Sequence, residues 1–198
     1  MMATMSETSQ QASPGTDTTC KTVVPTRVDV RIAAMNLLAR REHARSELEL
    51  KLQRRFADTE LIAGVLDQLS NENLQSDVRF AESLLRQRVG RGYGPNRVRQ
   101  EMRDRGLSQA LVLSALDSVA PDWFAAAEAA YERKFGHLDG LGESTSGEPA
   151  AGELGDDSLT SEARRAIYQR QQKEKARRMR FMQYRGFLPE HFRHLLEG

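Results

Sequence analysis

Three stretches of the chain share one spacing, and an internal repeat restricts the possible folds more tightly than any composition does. Each stretch is built around an apolar anchor, Phe56, Leu107 or Phe187. Five residues after the anchors stand Leu61, Val112 and Phe192, and nine after them Val65, Leu116 and Leu196. Upstream, Leu52, Met102 and Met182 hold an equivalent apolar position, and an arginine (Arg55, Arg105, Arg185) sits just before each anchor. Arg-Gly precedes the anchor in the second and third copies, and Gly106 stands where a left-handed helix stop is wanted. The first copy lacks the glycine and is one residue shorter there, so its stop must be built differently. A three-helix unit of this size buries its own apolar face poorly, so neighbours are expected to stack. The expected fold is all-α, with tandem three-helix repeats stacked into an elongated, curved body.

Local signals place the helices within each unit. Apolar residues recur at helical spacing in Val28, Ile32, Met35 and Leu38, then Leu48, Leu52 and Phe56, then Leu61, Val65 and Leu69. Ser46 with Glu49 three residues on has the form of a capping box, and Asp58 is placed to cap the next helix. Val78, Leu84, Leu85 and Val89 form the next face, the run from Gly90 to Gly94 interrupts it, and Pro95 restarts a helix. A further helix is predicted from Ser108 to about Val119. Met179, Met182 and Tyr184 then lead to Gly186-Phe187, with Pro189 at another helix start. The predicted divisions are a disordered extension over 1–26, repeats over 27–70 and 71–120, and a third repeat over 121–198. A flexible insert at about 137–161 interrupts that third repeat. It carries six acidic residues and five glycines with no Lys or Arg.

A formal net charge of +1 conceals segregated charge. Arg27 to Arg55 holds eight basic and four acidic residues, Arg79 to Arg105 eight and three, and Arg164 to Gly198 ten and three. Arginine dominates, and guanidinium groups pair bidentately with carboxylates and phosphates. The candidate binding residues are Arg40, Arg41, Arg45, Arg54 and Arg55, then Arg88, Arg91, Arg97, Arg99, Arg103 and Arg105, then Arg177, Arg178, Arg180 and Arg185. Lined up on successive repeats, they would form a basic stripe facing either DNA phosphates or acidic patches of a protein. Tyr93 is the only aromatic in an evident basic loop, which favours protein recognition with an auxiliary contribution from the DNA backbone. The alternative is a helix-turn-helix DNA-binding protein reading a groove with the helix from Asn96 to Arg105.

Catalytic constellations are not evident. Gly90-Arg91-Gly92-Tyr93-Gly94 lacks the Lys-Ser/Thr ending of a phosphate-binding loop. His191 and His194 lie three apart without further ligands, and His43 and His137 are isolated, so no metal or other cofactor is expected. The lone Cys20 has no partner for a disulfide. No stretch approaches the roughly 20 apolar residues that span a bilayer, and the N-terminus does not resemble a secretory signal. A cytoplasmic monomer that binds rather than catalyses is expected.

Several runs resemble the RecX family of regulatory proteins. Ala39-Arg40-Arg41-Glu42-His43-Ala44-Arg45-Ser46-Glu47-Leu48 with Lys51-Leu52 is similar to its first-repeat signature. The run from Gly92-Tyr93-Gly94-Pro95-Asn96 to Arg105-Gly106-Leu107, after Phe80-Ala81, is the most specific match. The third repeat is represented by Phe181-Met182-Gln183-Tyr184-Arg185-Gly186-Phe187. The resemblance covers about residues 30–135 and 164–198. It implies a modulator that binds RecA and RecA filaments on single-stranded DNA, lodges along the filament groove, and inhibits strand exchange, ATPase and coprotease activity.

Overall fold

The structure is a computed structural model that describes residues 25–136 and 160–196, so the expected N-terminal extension and acidic insert lie almost wholly outside the described residues. Regular structure among the described residues is entirely helical. The first unit comprises α1 (Arg27–Leu38), α2 (Arg45–Gln53) and α3 (Thr59–Asn71). The second comprises α4 (Asp77–Gly90), α5 (Pro95–Asp104) and α6 (Gln109–Val119). In the third, α7 (Trp123–Tyr131) runs into a π-helical turn (Glu132–Gly136), followed by α8 (Ser161–Arg185) and α9 (Pro189–Phe192). No single helix among the described residues is long and apolar enough to cross a membrane.

Each unit closes its own core around its anchor. Phe56 joins Val30, Leu48, Leu52, Ile62 and Leu66; Leu107 joins Phe80, Leu85, Val98, Met102 and Val112; Phe187 joins Phe135, Met182 and Phe192. Trp123 packs against both the second and third cores, and Ala44 from the first unit is buried in the second core. At the ends of α5 and α8, Gly106 (φ 77°) and Gly186 (φ 87°) take the left-handed conformation. The next amide then reaches back: Leu107 N–H donates to Met102 O at 3.2 Å, and Phe187 N–H to Met182 O at 3.1 Å. The first unit has no such glycine, and Phe56 N–H donates to Leu52 O at 2.8 Å through right-handed backbone at Arg54.

The residue missing before Phe56 reappears after it. Asp58 caps α3 two positions beyond the anchor, accepting from Leu61 N–H at 2.9 Å, whereas Ser108 and Leu188, the residues before α6 and α9, lie only one position beyond theirs. The core position of α3 is therefore Ile62, fully buried, and the expected Leu61 is half-buried. Counted from Leu52, Met102 and Met182, the residues ten further on are Ile62, Val112 and Phe192, all buried.

Three other expectations are corrected. The face of α1 marked by Val28, Ile32, Met35 and Leu38 is not the core face, because Val28 is 63% and Ile32 55% exposed. The neighbouring stripe of Val30, Ala33 and Ala34 faces α2 and α3, where small alanines permit close approach. Val78, grouped with Leu84 and Leu85 on one face of α4, is likewise exposed. Ser46 is not a cap: it lies inside α2, behind an N-cap position held by Ala44, and its hydroxyl donates to Arg105 O in the second unit.

Candidate functional site

One helix-end contact recurs at both junctions between units. At the first, the start of α2 meets the end of α5: Ser46 reaches Arg105 O, and Arg105 Nη1 lies 3.0 Å from Glu47 Oε2. The α2 terminus is capped from the second unit, Arg45 N–H donating to Asp77 Oδ1 at 2.8 Å. At the second junction, the start of α5 meets the end of α8. Gly94 N–H donates to Arg185 O at 2.8 Å and Asn96 N–H to Gly186 O at 3.1 Å. Backbones are in direct contact here: a Cβ on Gly94 would lie 2.4 Å from Phe187 N, and one on Gly186 2.5 Å from Arg97 N. The Gly92-to-Asn96 run and the Arg185-Gly186 pair are thus two sides of one joint.

Many of the candidate arginines are occupied within the chain. Arg41, Lys51 and Arg105 converge on Glu47. Burial alone would raise the Glu47 carboxyl, but hydrogen bonds from Arg41 and Lys51 and the nearby charges of His43 and Arg41 bring it down to about 2. Arg88 binds Glu101 through two nitrogens, holding that carboxyl below its usual range. Arg105 also reaches Glu101 at 3.2 Å and lies over the Phe80 ring. Arg45 pairs with Asp67 at 2.7 Å, Arg177 and Arg178 with Glu174, and Arg178 also donates to the Tyr131 hydroxyl. Arg103 donates to Gln100 and Arg180 to Ala176 O. Arg185 is held by Arg91 O at 3.2 Å, between the Tyr93 and Phe181 rings.

The remaining candidates face outward or sit apart. Arg40, Arg54 and Arg91 are exposed with no carboxylate partner among the described residues, Arg97 is exposed and acts on Glu101 through its charge, and Arg55 is exposed over Phe56. Arg99 is half-buried, with Nε enclosed and without a hydrogen-bond partner, and its charge acts on His191 in the third unit. Two cations outside the basic segments, Arg133 and Lys134, reach the second junction from the π turn after α7. Spacing carries no signal for them, since they follow an alanine-rich helix rather than a repeat position. His191 is buried, accepts from Leu188 N–H through Nδ1, and packs near Trp123, Phe124 and Phe187. His43 is 2% exposed, and burial, with the nearby charge of Arg41, lowers its pKa.

Three helical units, joined twice by the same helix-end contact and carrying cations on their outer surfaces, define a helical-repeat protein. The chain belongs to the RecX family. Family models described as the first and second RecX three-helix domains match residues 31–69 and 76–116. Proteins named regulatory protein RecX include one from Ectopseudomonas mendocina (strain ymp), 38% identical over 85% of this chain and 93% of its own length. Another, from Pseudomonas fluorescens (strain SBW25), is 39% identical over 89% of this chain and 95% of its own length. A crystal structure of a regulatory protein RecX superposes with a TM-score of 0.59 at 16% identity, covering 87% of this chain and 74% of that one, and shares the fold.

Proposed function

We propose that this protein is a cytoplasmic, monomeric regulator that binds RecA and RecA filaments on single-stranded DNA. In this reading it inhibits recombinase, ATPase and coprotease activity in homologous recombination and the SOS response, by binding and without catalysis. The observation that carries it is identity of 38% across 85% of the chain to a protein named regulatory protein RecX. The two junctions support it, the first held by side-chain bonds and the second by direct backbone contact, because units joined in this way can present exposed Arg40, Arg54, Arg91 and Arg97 in fixed relative positions to a periodic partner. Protein recognition is the main contact, and a DNA backbone contributes an auxiliary one.

The helix-turn-helix alternative has less support. A recognition helix offers its N-terminal residues to base edges. The start of α5 is instead covered by the Arg185-Gly186 end of α8, and Val98 and Met102 are fully buried. Strand exchange by RecA with substoichiometric amounts of this protein is the direct test. Inhibition is expected; none at any ratio, with folding verified by circular dichroism, would refute the proposal.

A further inference from the structure

Beside the second junction lies a small notch of about 130 Å³, lined by Arg91, Ala130, Arg133, Lys134, Phe181 and Arg185. Four of these six residues are cationic, and none is acidic. They come from three separate elements: the end of α4, the turn after α7, and the last turns of α8. Gathering like charges is electrostatically costly unless an anion offsets it. Elsewhere on this chain the same problem is met internally, with Glu101 for Arg88 and Glu47 for Arg105.

In the notch, neutral groups hold the cations. Arg133 donates from Nε to Ala129 O at 3.0 Å and from Nη1 to Gly90 O at 3.3 Å. Arg185 donates from Nη1 to Arg91 O, with its guanidinium 5.0 Å from the Tyr93 centroid and 5.2 Å from that of Phe181. Carbonyls and ring faces orient a guanidinium without neutralising it, so both retain full charge and unused N–H donors. Gly92 makes the arrangement possible. It has φ 74°, and a Cβ there would stand 2.6 Å from Arg133 Nη2 and 3.0 Å from Ala130 Cβ. Arg91 and Lys134 are exposed at the rim, with no carboxylate partner among the described residues.

We propose that this notch binds a phosphate group, and specifically a backbone phosphodiester of a nucleic-acid strand. Two oriented guanidiniums and two exposed cations suit a tetrahedral anion, and the Phe181 ring offers an apolar flank for the adjoining sugar or base. The inference rests on the auxiliary DNA contact in the reading above and assigns it to the junction of units two and three, away from the outer face of α5.

The test measures binding of a fluorescein-labelled oligothymidylate of about 20 nucleotides by anisotropy, with no recombinase present. Arg91→Ala with Lys134→Ala removes the two rim cations, which make no intramolecular bond among the described residues, so folding should persist. Arg165→Ala with Arg193→Ala, at exposed positions away from the notch, removes the same charge. The rim variant should bind about tenfold more weakly at low salt, and its slope of log affinity against log salt should shrink by about 0.7 to 1.4. The control pair should lose less than about threefold.

Equal losses in the two pairs, or no binding by the unaltered protein, overturn the proposal. Displacement of the oligonucleotide by inorganic phosphate at constant ionic strength, in the unaltered protein only, supports the notch and adds free phosphate to its ligands. Selective loss without such displacement supports recognition of the polymer alone. Because the assay contains no RecA, failure here leaves inhibition of strand exchange standing, and failure of that inhibition leaves this result standing.

Discussion

Replacing Glu47 with Gln removes one negative charge from beneath Arg41, Lys51 and Arg105 while preserving the shape of the side chain. A carboxyl held at about 2 rather than 4.5 reflects about 3 kcal/mol in favour of its ionised form. The Glu47 side chain is only 16% exposed, so solvent screening takes a modest share. An amide keeps some of the hydrogen bonding, which leaves an expected cost of about 2 kcal/mol at pH 7. The loss should have a particular pH signature. With its folded value depressed, Glu47 stabilises the protein fully above its unfolded value of 4.5, and that contribution fades as pH falls toward 2. Urea unfolding followed by circular dichroism should show a lower midpoint at pH 7, with the gap between the two proteins narrowing between pH 5 and about 2. Because Arg105 belongs to the second unit, amide exchange should rise most in α2 and at the end of α5. A cost below about 0.5 kcal/mol, or a gap independent of pH, would refute the account of Glu47 as a charged hub.

Gly186→Ala should cost at least about 2 kcal/mol, from positive φ and collision with the Arg97 backbone, whereas Gly90→Ala meets nothing within 4 Å and should be neutral or slightly stabilising. Equal thermal shifts in the two would contradict the close contact at the second junction. Ile62→Ala should cost about 2 to 5 kcal/mol and Leu61→Ala about 1 kcal/mol or less, a difference readable in denaturant midpoints. Burial lowers the pKa of both His43 and His191, so the unfolded chain binds protons that the folded one refuses. Stability should therefore fall as pH drops through about 6.5, and a His43→Asn, His191→Asn double variant should lose that part of the pH profile.

The number of helices per unit, the stops at Gly106 and Gly186, the Asp58 cap and the helix starts at Pro95 and Pro189 were legible in the sequence. Each depends on residues within one turn of itself, so local physical chemistry decides it. The repeat was legible for a related reason: equivalent core positions demand apolar side chains, whatever the identity of the rest. Which stripe of α1 turns inward was not legible, because Val28, Ile32 and Met35 are as periodic as the stripe that is buried. That choice belongs to α2 and α3, whose surfaces accept alanine at close range. The roles of Ser46 and Asp77 were hidden likewise, since the partners of these residues lie 59 and 32 positions away. Counting arginines revealed basic segments but not which charges are spent internally. Only the folded chain brings Glu47 and Glu101 to some guanidiniums and leaves Arg91, Arg133, Lys134 and Arg185 around a notch without a carboxylate. Charge pairing is a property of distance in space, and the sequence orders residues only along the chain.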